Sequence, residues 1–202
     1  TYLQYFFPGT VMLIVLFTAI FATISVIEDR REGFLQSVLA APIPRSAMVA
    51  GKVLGAALLA FLHGLAFLLL APAAGLSLDL LGWAYALSAM FLASAGMAGL
   101  GFLIAWKLDS TQGFHAVMNL ILIPMWMLSG ALFPSAGAPA WLKALVALNP
   151  MTYAVLALQG SLRVSGLHPL APDAPAGLCL AVMAGFFLLT GAASVALANR
   201  PE

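Results

Sequence analysis

The sequence predicts an all-α integral membrane protein, a polytopic helix bundle with five spans in this chain. Three observations carry that expectation. The 202 residues are 63% hydrophobic and 7% charged, with mean hydropathy +1.07, whereas soluble domains are about 45–50% apolar and about 25% charged. The charges are confined to a few places, leaving uncharged runs at 1–27, 53–78, 80–106, 110–142 and 174–199. Each run exceeds the roughly 20 residues that cross about 30 Å of hydrocarbon. The basic residues, finally, divide unequally between the two sides those runs define.

An Asp, Lys or Arg at the centre of a membrane helix costs about 2.5–3.5 kcal/mol, so charges mark helix ends. The expected spans are therefore about 7–27, 52–73, 83–106, 114–133 and 177–198, within one transmembrane domain covering 1–202. If residues 28–45 are cytoplasmic, that side holds Arg30, Arg31, Arg45, Lys52, Lys107 and Arg200, and the other holds Lys143 and Arg163. The positive-inside rule then puts the C-terminus in the cytoplasm and Thr1 outside. An external start with no signal-peptide pattern makes a further helix ahead of residue 1 an expectation.

In chain order, the first span ends at "EDRRE" (28–32), five consecutive charges. They cannot enter lipid, yet beyond them Phe34, Leu35, Val38 and Leu39 fall on one face of a short helix, expected over 33–41. Gly33 opens it, Glu32 suits the dipole at its N-terminus, and Pro42 and Pro44 end it. An apolar stripe outside the membrane calls for a partner protein or for the membrane surface. In the second and last spans Ala56, Ala60 and Gly64, and Gly177, Ala181 and Gly185, recur every four residues. Gly51 and Gly55, and Ala95 and Gly99, repeat the spacing. Small residues so placed let helices approach closely, although they are also simply common in membrane helices. Pro124 inside the fourth span removes a backbone hydrogen bond and predicts a kink.

Between the fourth and fifth spans, 134–163 is apolar but broken by Pro134, Pro139 and the Asn149–Pro150 pair. The nine residues 140–148 reach only about 14 Å as a helix, and 151–162 are also too short. Apolar residues nearly all round favour two short re-entrant helices over a pair lying flat on the surface. Trp141, Lys143 and Tyr153 are expected at the interface, where amphipathic side chains collect.

The acidic–basic cluster followed by Gly33, Phe34, Leu35 and "LAAPIPRSAMVAGKVLG" (39–55) resembles the membrane subunits of type-2 ATP-binding-cassette exporters. So do "FFPGTVMLIVLFTAIFATISVIEDR" (6–30) and "LSGALFPSAGAPAWLKALVALNPMTYAV" (128–155). The likeness covers nearly the whole chain, and in character it is closest to drug-exporter permeases. It implies six spans in the full protein, so the five here correspond to the second to sixth. It implies that 33–41 is a coupling helix, with Glu32, Gly33, Phe34, Leu35, Val38 and Leu39 meeting an ABC ATPase subunit. Pro134, Trp141, Asn149, Pro150 and Tyr153 would belong to the re-entrant outer segment. It further implies a homo- or heterodimer of permeases in the plasma (inner) membrane, with ATP and Mg bound by the partner ATPase.

The chain itself offers no nucleotide or catalytic chemistry. "AGKV" (50–53) has the Gly-Lys pair of a phosphate loop but neither its earlier glycine nor its following Ser or Thr. No G-x-S-x-G occurs, and His63, His115 and His168 lack metal-ligand spacing. Cys179 has no second cysteine to bridge, and a net charge of +1 gives no reason to expect nucleic acid. His63 is the one ionisable group deep in a span, read as a neutral ring bonded to a helix carbonyl rather than as a proton carrier. The expected function is that of a permease subunit moving an amphipathic drug-like or lipid-like substrate out of the cell. The alternatives are an ATPase-independent secondary transporter or channel, or a membrane assembly factor.

Overall fold

Hydrocarbon offers backbone groups no water, so an apolar run inside it must satisfy its own N–H and C=O groups as a helix. The computed structural model describes residues 2–34, 37–38, 42–131, 139–162 and 175–200, and every regular element among them is helical. Five stretches are long and apolar enough to cross a membrane.

The first combines α1 (Tyr2–Phe21) and α2 (Ser25–Arg31) through a 3-10 turn at Ala22–Ile24. The others are α3 (Arg45–Leu68), α4 (Leu80–Ala105), α5 (Thr111–Trp126, continued by a widened turn at Met127–Ala131) and α8 (Ala176–Ala198). Between the last two lie α6 (Ala140–Leu148) and α7 (Pro150–Ser161), bent by 81° at Asn149.

The helix ends depart from the sequence expectation for identifiable reasons. Helix α2 carries the charge cluster to Arg31 instead of stopping near residue 27. Helix α3 begins seven residues earlier than expected because its first two turns hold Arg45 and Lys52, whose charges are taken up by neighbours. It also stops earlier, at Leu68, and a 3-10 turn at Ala71–Ala74 then closes on Gly75 in the left-handed region (φ 73°). Asp79 caps α4 by accepting from the Gly82 N–H, and Ser110 caps α5 by accepting from the Gly113 N–H, both at 2.8 Å. Such caps satisfy amide groups the first turn leaves without partners. Pro124 lies within α5. The departure from helical geometry falls beyond it, in the widened turn, where Gly130 has φ 80°.

Successive spans run up and down. At one end, the basic end, Arg30 donates to the Trp106 carbonyl and Arg45 to the Ala198 carbonyl. At the opposite end Gln4 donates to the Gly75 carbonyl, Tyr5 to Gly130 and Tyr85 to Ala176. Helix α4 sits centrally, with Met90, Met97 and Phe102 buried among α1, α3 and α8.

The small-residue stripes separate into two kinds. A Cβ on Gly64 would lie 2.5 Å from Val15, one on Gly101 2.6 Å from the Thr23 hydroxyl, and one on Gly99 2.6 Å from the Thr190 hydroxyl. Those positions are close-packed, as are buried Ala56 and Ala60 beside Gly64. A Cβ on Gly51, Gly55, Gly177 or Gly185 would meet nothing within 4 Å.

Gly99→Ala is therefore expected to push α8 from α4 at the cost typical of overpacking, about 1–3 kcal/mol, because β-branched Thr190 cannot swing aside. Gly185→Ala should be near neutral. Thermal unfolding in detergent, read by intrinsic fluorescence, compares the two; equal midpoints would contradict the packing described.

Candidate functional site

Five helix termini meet at the basic end, and their charges are shared between helices. Arg30 pairs with Asp109 (3.2 Å), donates to the Trp106 carbonyl (2.5 Å) and lies over the Trp106 ring, 5.4 Å from its centre. Lys52 pairs with Asp29 and reaches the Ser25 hydroxyl at 3.5 Å. Arg45 donates to the Ala198 carbonyl at 2.7 Å, where the carbonyls at the end of α8 favour a cation. Arg30 thus ties α2 to the α4–α5 connection, Lys52 ties α3 to α2, and Arg45 ties α3 to α8. The Lys52–Asp29 pair is partly buried and so is screened less than a surface pair, whereas Asp109 is exposed; each of the three contacts also fixes a helix position.

The chain leaves this end at Glu32 and Gly33. Glu32 closes α2, its N–H bonded to the Glu28 carbonyl at 2.9 Å. Gly33 then takes φ 78°, with its N–H 3.3 Å from the Arg30 carbonyl. This left-handed glycine both ends one helix and begins the next, since the Ser37 N–H returns to the Gly33 carbonyl at 3.4 Å. Phe34, Ser37 and Val38 are helical. Phe34 is 56% exposed, whereas Val38 is half-buried against the core. The expected face is consequently divided: one member points away from the bundle and one anchors the segment to it. Leu35 and Leu39 lie outside the described residues.

The bent pair α6–α7 forms a second constellation. Helix α7 runs antiparallel to α4: Ser161 reaches Gly82 near the start of α4, and Ala157 clusters with Ala89 and Cys179. Met151, Thr152, Ala154, Val155 and Leu158 are fully buried and Asn149 is buried at the bend, so protein covers its α7 side, whereas Leu148 on the α6 side is exposed. Its polar groups are matched in detail. Asn149 accepts from the Met151 N–H (3.0 Å) and donates to the Met125 carbonyl on α5 (2.6 Å). The Thr152 hydroxyl donates to the Val146 carbonyl (2.7 Å) and the Tyr153 hydroxyl to Ala147 (3.0 Å), tying α7 back to α6. On the facing side Trp126 donates to the Gly9 carbonyl (3.0 Å) and Ser129 to the Trp126 carbonyl (2.6 Å).

Asn149 and Pro150 thus make the bend, as a capping residue followed by proline at the first helical position. Trp141 is 66% exposed and Lys143 is exposed. Tyr153 is not on an outer surface: it is half-buried and its hydroxyl is used at the bend, because α7 packs within the bundle. Pro134 falls outside the described residues. Sequence reasoning passed over Thr152, Tyr5, Trp126 and Gly130. For Thr152 a signal existed, an Asn-Pro cap with Thr three residues on; the other contacts join residues more than a hundred positions apart.

His63 bonds through Nδ1 to the Leu59 carbonyl on its own helix (2.8 Å), so Nδ1 carries the proton. His115 lies against the Phe21 ring, 5.0 Å between centres. Among the described residues no group of three or more His, Cys, Asp or Glu is placed to hold a metal ion.

Comparison with known proteins adds a family. Residues 1–162 match the family model described as ABC-2 type transporter. The chain is also 27% identical, over 156 residues, to ycf38 of Cyanophora paradoxa, which is named as a candidate transport permease. That alignment covers 76% of this chain and 54% of ycf38, so the chain spans about half the length of the curated relative it matches.

Asn149→Ala removes one acceptor and one donor from a buried bend. The groups left without partners predict a loss of about 1–3 kcal/mol, concentrated where α6 meets α7. Hydrogen exchange should accelerate at the amides of Met151–Tyr153 and stay slow in α4. Asn149→Asp, which keeps the acceptor, should lie between. Unchanged exchange in both variants would show that Asn149 does not hold the bend.

Proposed function

The chain belongs to the ABC-2 type transporter family, and from that premise we propose that it is the permease subunit of an ATP-driven exporter. It works in the plasma membrane as one of two paired permeases, with the basic end and C-terminus cytoplasmic. A separate ATPase binds ATP and Mg and docks on the helix that begins at Gly33. The observation that carries this reading is Phe34: an aromatic side chain more than half exposed, just beyond the charge cluster. It stands on a segment fixed to the bundle by Val38 and led off by the clamped helix α2. An exposed aromatic beyond a cluster of charges fits a protein surface that can cover it.

In this reading α6 and α7 form a re-entrant pair entered from the outer side, their bend protected by Asn149, Thr152 and Tyr153. Irregular backbone at that depth is tolerated only where protein or a wet cavity covers it. The substrate is amphipathic and drug-like or lipid-like, because the exposed faces of α3 and α5 are apolar. Leu54, Leu58 and Leu62 line one face, and Leu120, Ile123 and Met127 the other.

A carrier driven by protons is the weaker reading. It needs ionisable groups within the bundle, and among the described residues the aspartates and glutamates lie at or near helix ends. His63 is engaged with its own helix rather than with a carboxylate.

Phe34→Glu is expected to abolish transport and to lower ATPase co-purification at least tenfold, the effect of losing an interface anchor worth about 2 kcal/mol, with membrane insertion unchanged. Full transport activity in that variant would remove the basis for coupling through this helix. His63→Leu should export at the wild-type rate, measured as ATP-dependent substrate uptake into inverted vesicles.

A further inference from the structure

A cleft of about 550 Å³ opens at the basic end between α4, α5 and α8. Its walls are apolar: Leu103 and Ile104 from α4, Val117 from α5, and Ala193 and Leu197 from α8. Two cations, Lys107 and Arg200, stand in its lining. The alanines of α8 leave the space. Closer to the middle of the bundle the same two helices touch, at Gly99 against Thr190.

Among the described residues the charge here is unbalanced. Asp109, two residues beyond Lys107, is engaged by Arg30. Asp29 is engaged by Lys52. Arg45, which reaches the Arg200 carbonyl at 3.4 Å, brings another positive charge and bonds carbonyls rather than a carboxylate. Among the described residues no carboxylate is paired with Lys107 or Arg200.

The cations and the apolar floor are also layered. Leu103 lies one turn before Lys107, about 6 Å, and Ala193 seven residues before Arg200, about 10 Å along the axis. A ligand that fits carries its negative charge at the level of the helix ends and a hydrocarbon chain directed into the bundle. Lys107 offers a point charge and Arg200 a planar fork suited to phosphate oxygens. Basic pockets between membrane helices are suited to anionic lipid head groups.

We propose that this cleft binds an anionic phospholipid, with its phosphate between Lys107 and Arg200 and one acyl chain along Leu103, Val117 and Ala193. The site requires only that the helices sit in a bilayer. It stands apart from Phe34 and does not depend on ATP-driven export.

The test uses the full-length protein reconstituted into equimolar phosphatidylcholine and phosphatidylglycerol vesicles, then extracted in a neutral detergent. Retained lipid is counted by mass spectrometry. The wild-type protein should retain phosphatidylglycerol in excess. Lys107→Gln and Arg200→Gln should each lower that excess about fivefold, as removal of one cation near a charged surface predicts, and the double variant should erase it. Ala193→Phe, which fills the floor and leaves both charges, should erase it as well. Arg31→Gln, at the same end but outside the cleft, should leave it intact.

No excess in the wild type would overturn the proposal, including the case in which another part of the full-length protein covers the cleft. An excess that survives the double variant, or that inorganic phosphate alone displaces, would overturn it equally. Since retention is read without nucleotide, failure here leaves export untouched, and failure of Phe34→Glu to block export leaves the lipid site untouched.

Discussion

Everything in this structure depends on the refusal of hydrocarbon to accept a polar group without a partner. The refusal sorts the side chains first, sending aspartates, glutamates, lysines and arginines to helix ends. It then decides how those ends are built. Arg30, Arg45 and Lys52 do not simply project toward water; each reaches a carbonyl, hydroxyl or carboxylate of another helix. A charge that must stay near the membrane edge becomes a tie between helices. The ties gather the ends of all five spans into one layer at the basic end.

The same rule explains the bend at Asn149, where it acts on the backbone. A chain that turns by 81° inside a bundle breaks its helical ladder, and the broken ends need donors and acceptors. Asn149, Thr152 and Tyr153 supply them from within the bent pair, and the Met125 carbonyl on α5 holds the Asn149 side chain in place by accepting from its amide. Helix α5 is therefore held near both ends: through the Asp109–Arg30 pair just before its first turn, and through Met125 near its last. Helix α1 accompanies it, with the Gly9 carbonyl accepting from Trp126 and the Tyr5 hydroxyl donating to Gly130. These two helices join the basic end to the bend, and α1 meets through Tyr5 the left-handed Gly130 that ends α5.

Much of this was legible in the sequence, and the parts that were not share a cause. The spans could be read because charge avoidance is a property of single residues counted along the chain. The asparagine-proline bend could be read because proline acts locally. Helix α3 was expected to start near Lys52 because a lysine ordinarily marks the edge of lipid. It starts at Arg45 because Asp29, on another helix, takes up the Lys52 charge. Gly64 and Gly185 have the same spacing from small neighbours, yet one is crowded by Val15 and Met90 and the other faces open space. Tyr153 has the composition of an interface residue and is used inside. In each case the deciding partner is remote in sequence, and a pattern read along one helix cannot see it.

Gly33 shows why the charge cluster and the exposed aromatic are neighbours. If the Phe34 segment continued α2 as one rigid helix, an ATPase pushing on it would tilt α2 and work directly against the Arg30 contacts with Trp106 and Asp109. If it hung on a loose loop, the push would dissipate. The left-handed glycine lies between these limits. It lets the segment proposed to dock change direction at one residue without unwinding α2, because only glycine takes φ 78° without strain. Val38, packed against the core, ties the segment back to the bundle. From α2 the Arg30 clamp leads to α4 and α5, the helices that meet the bent pair. In the proposed export cycle the clamp is therefore the element that turns a swinging surface helix into movement of the bundle.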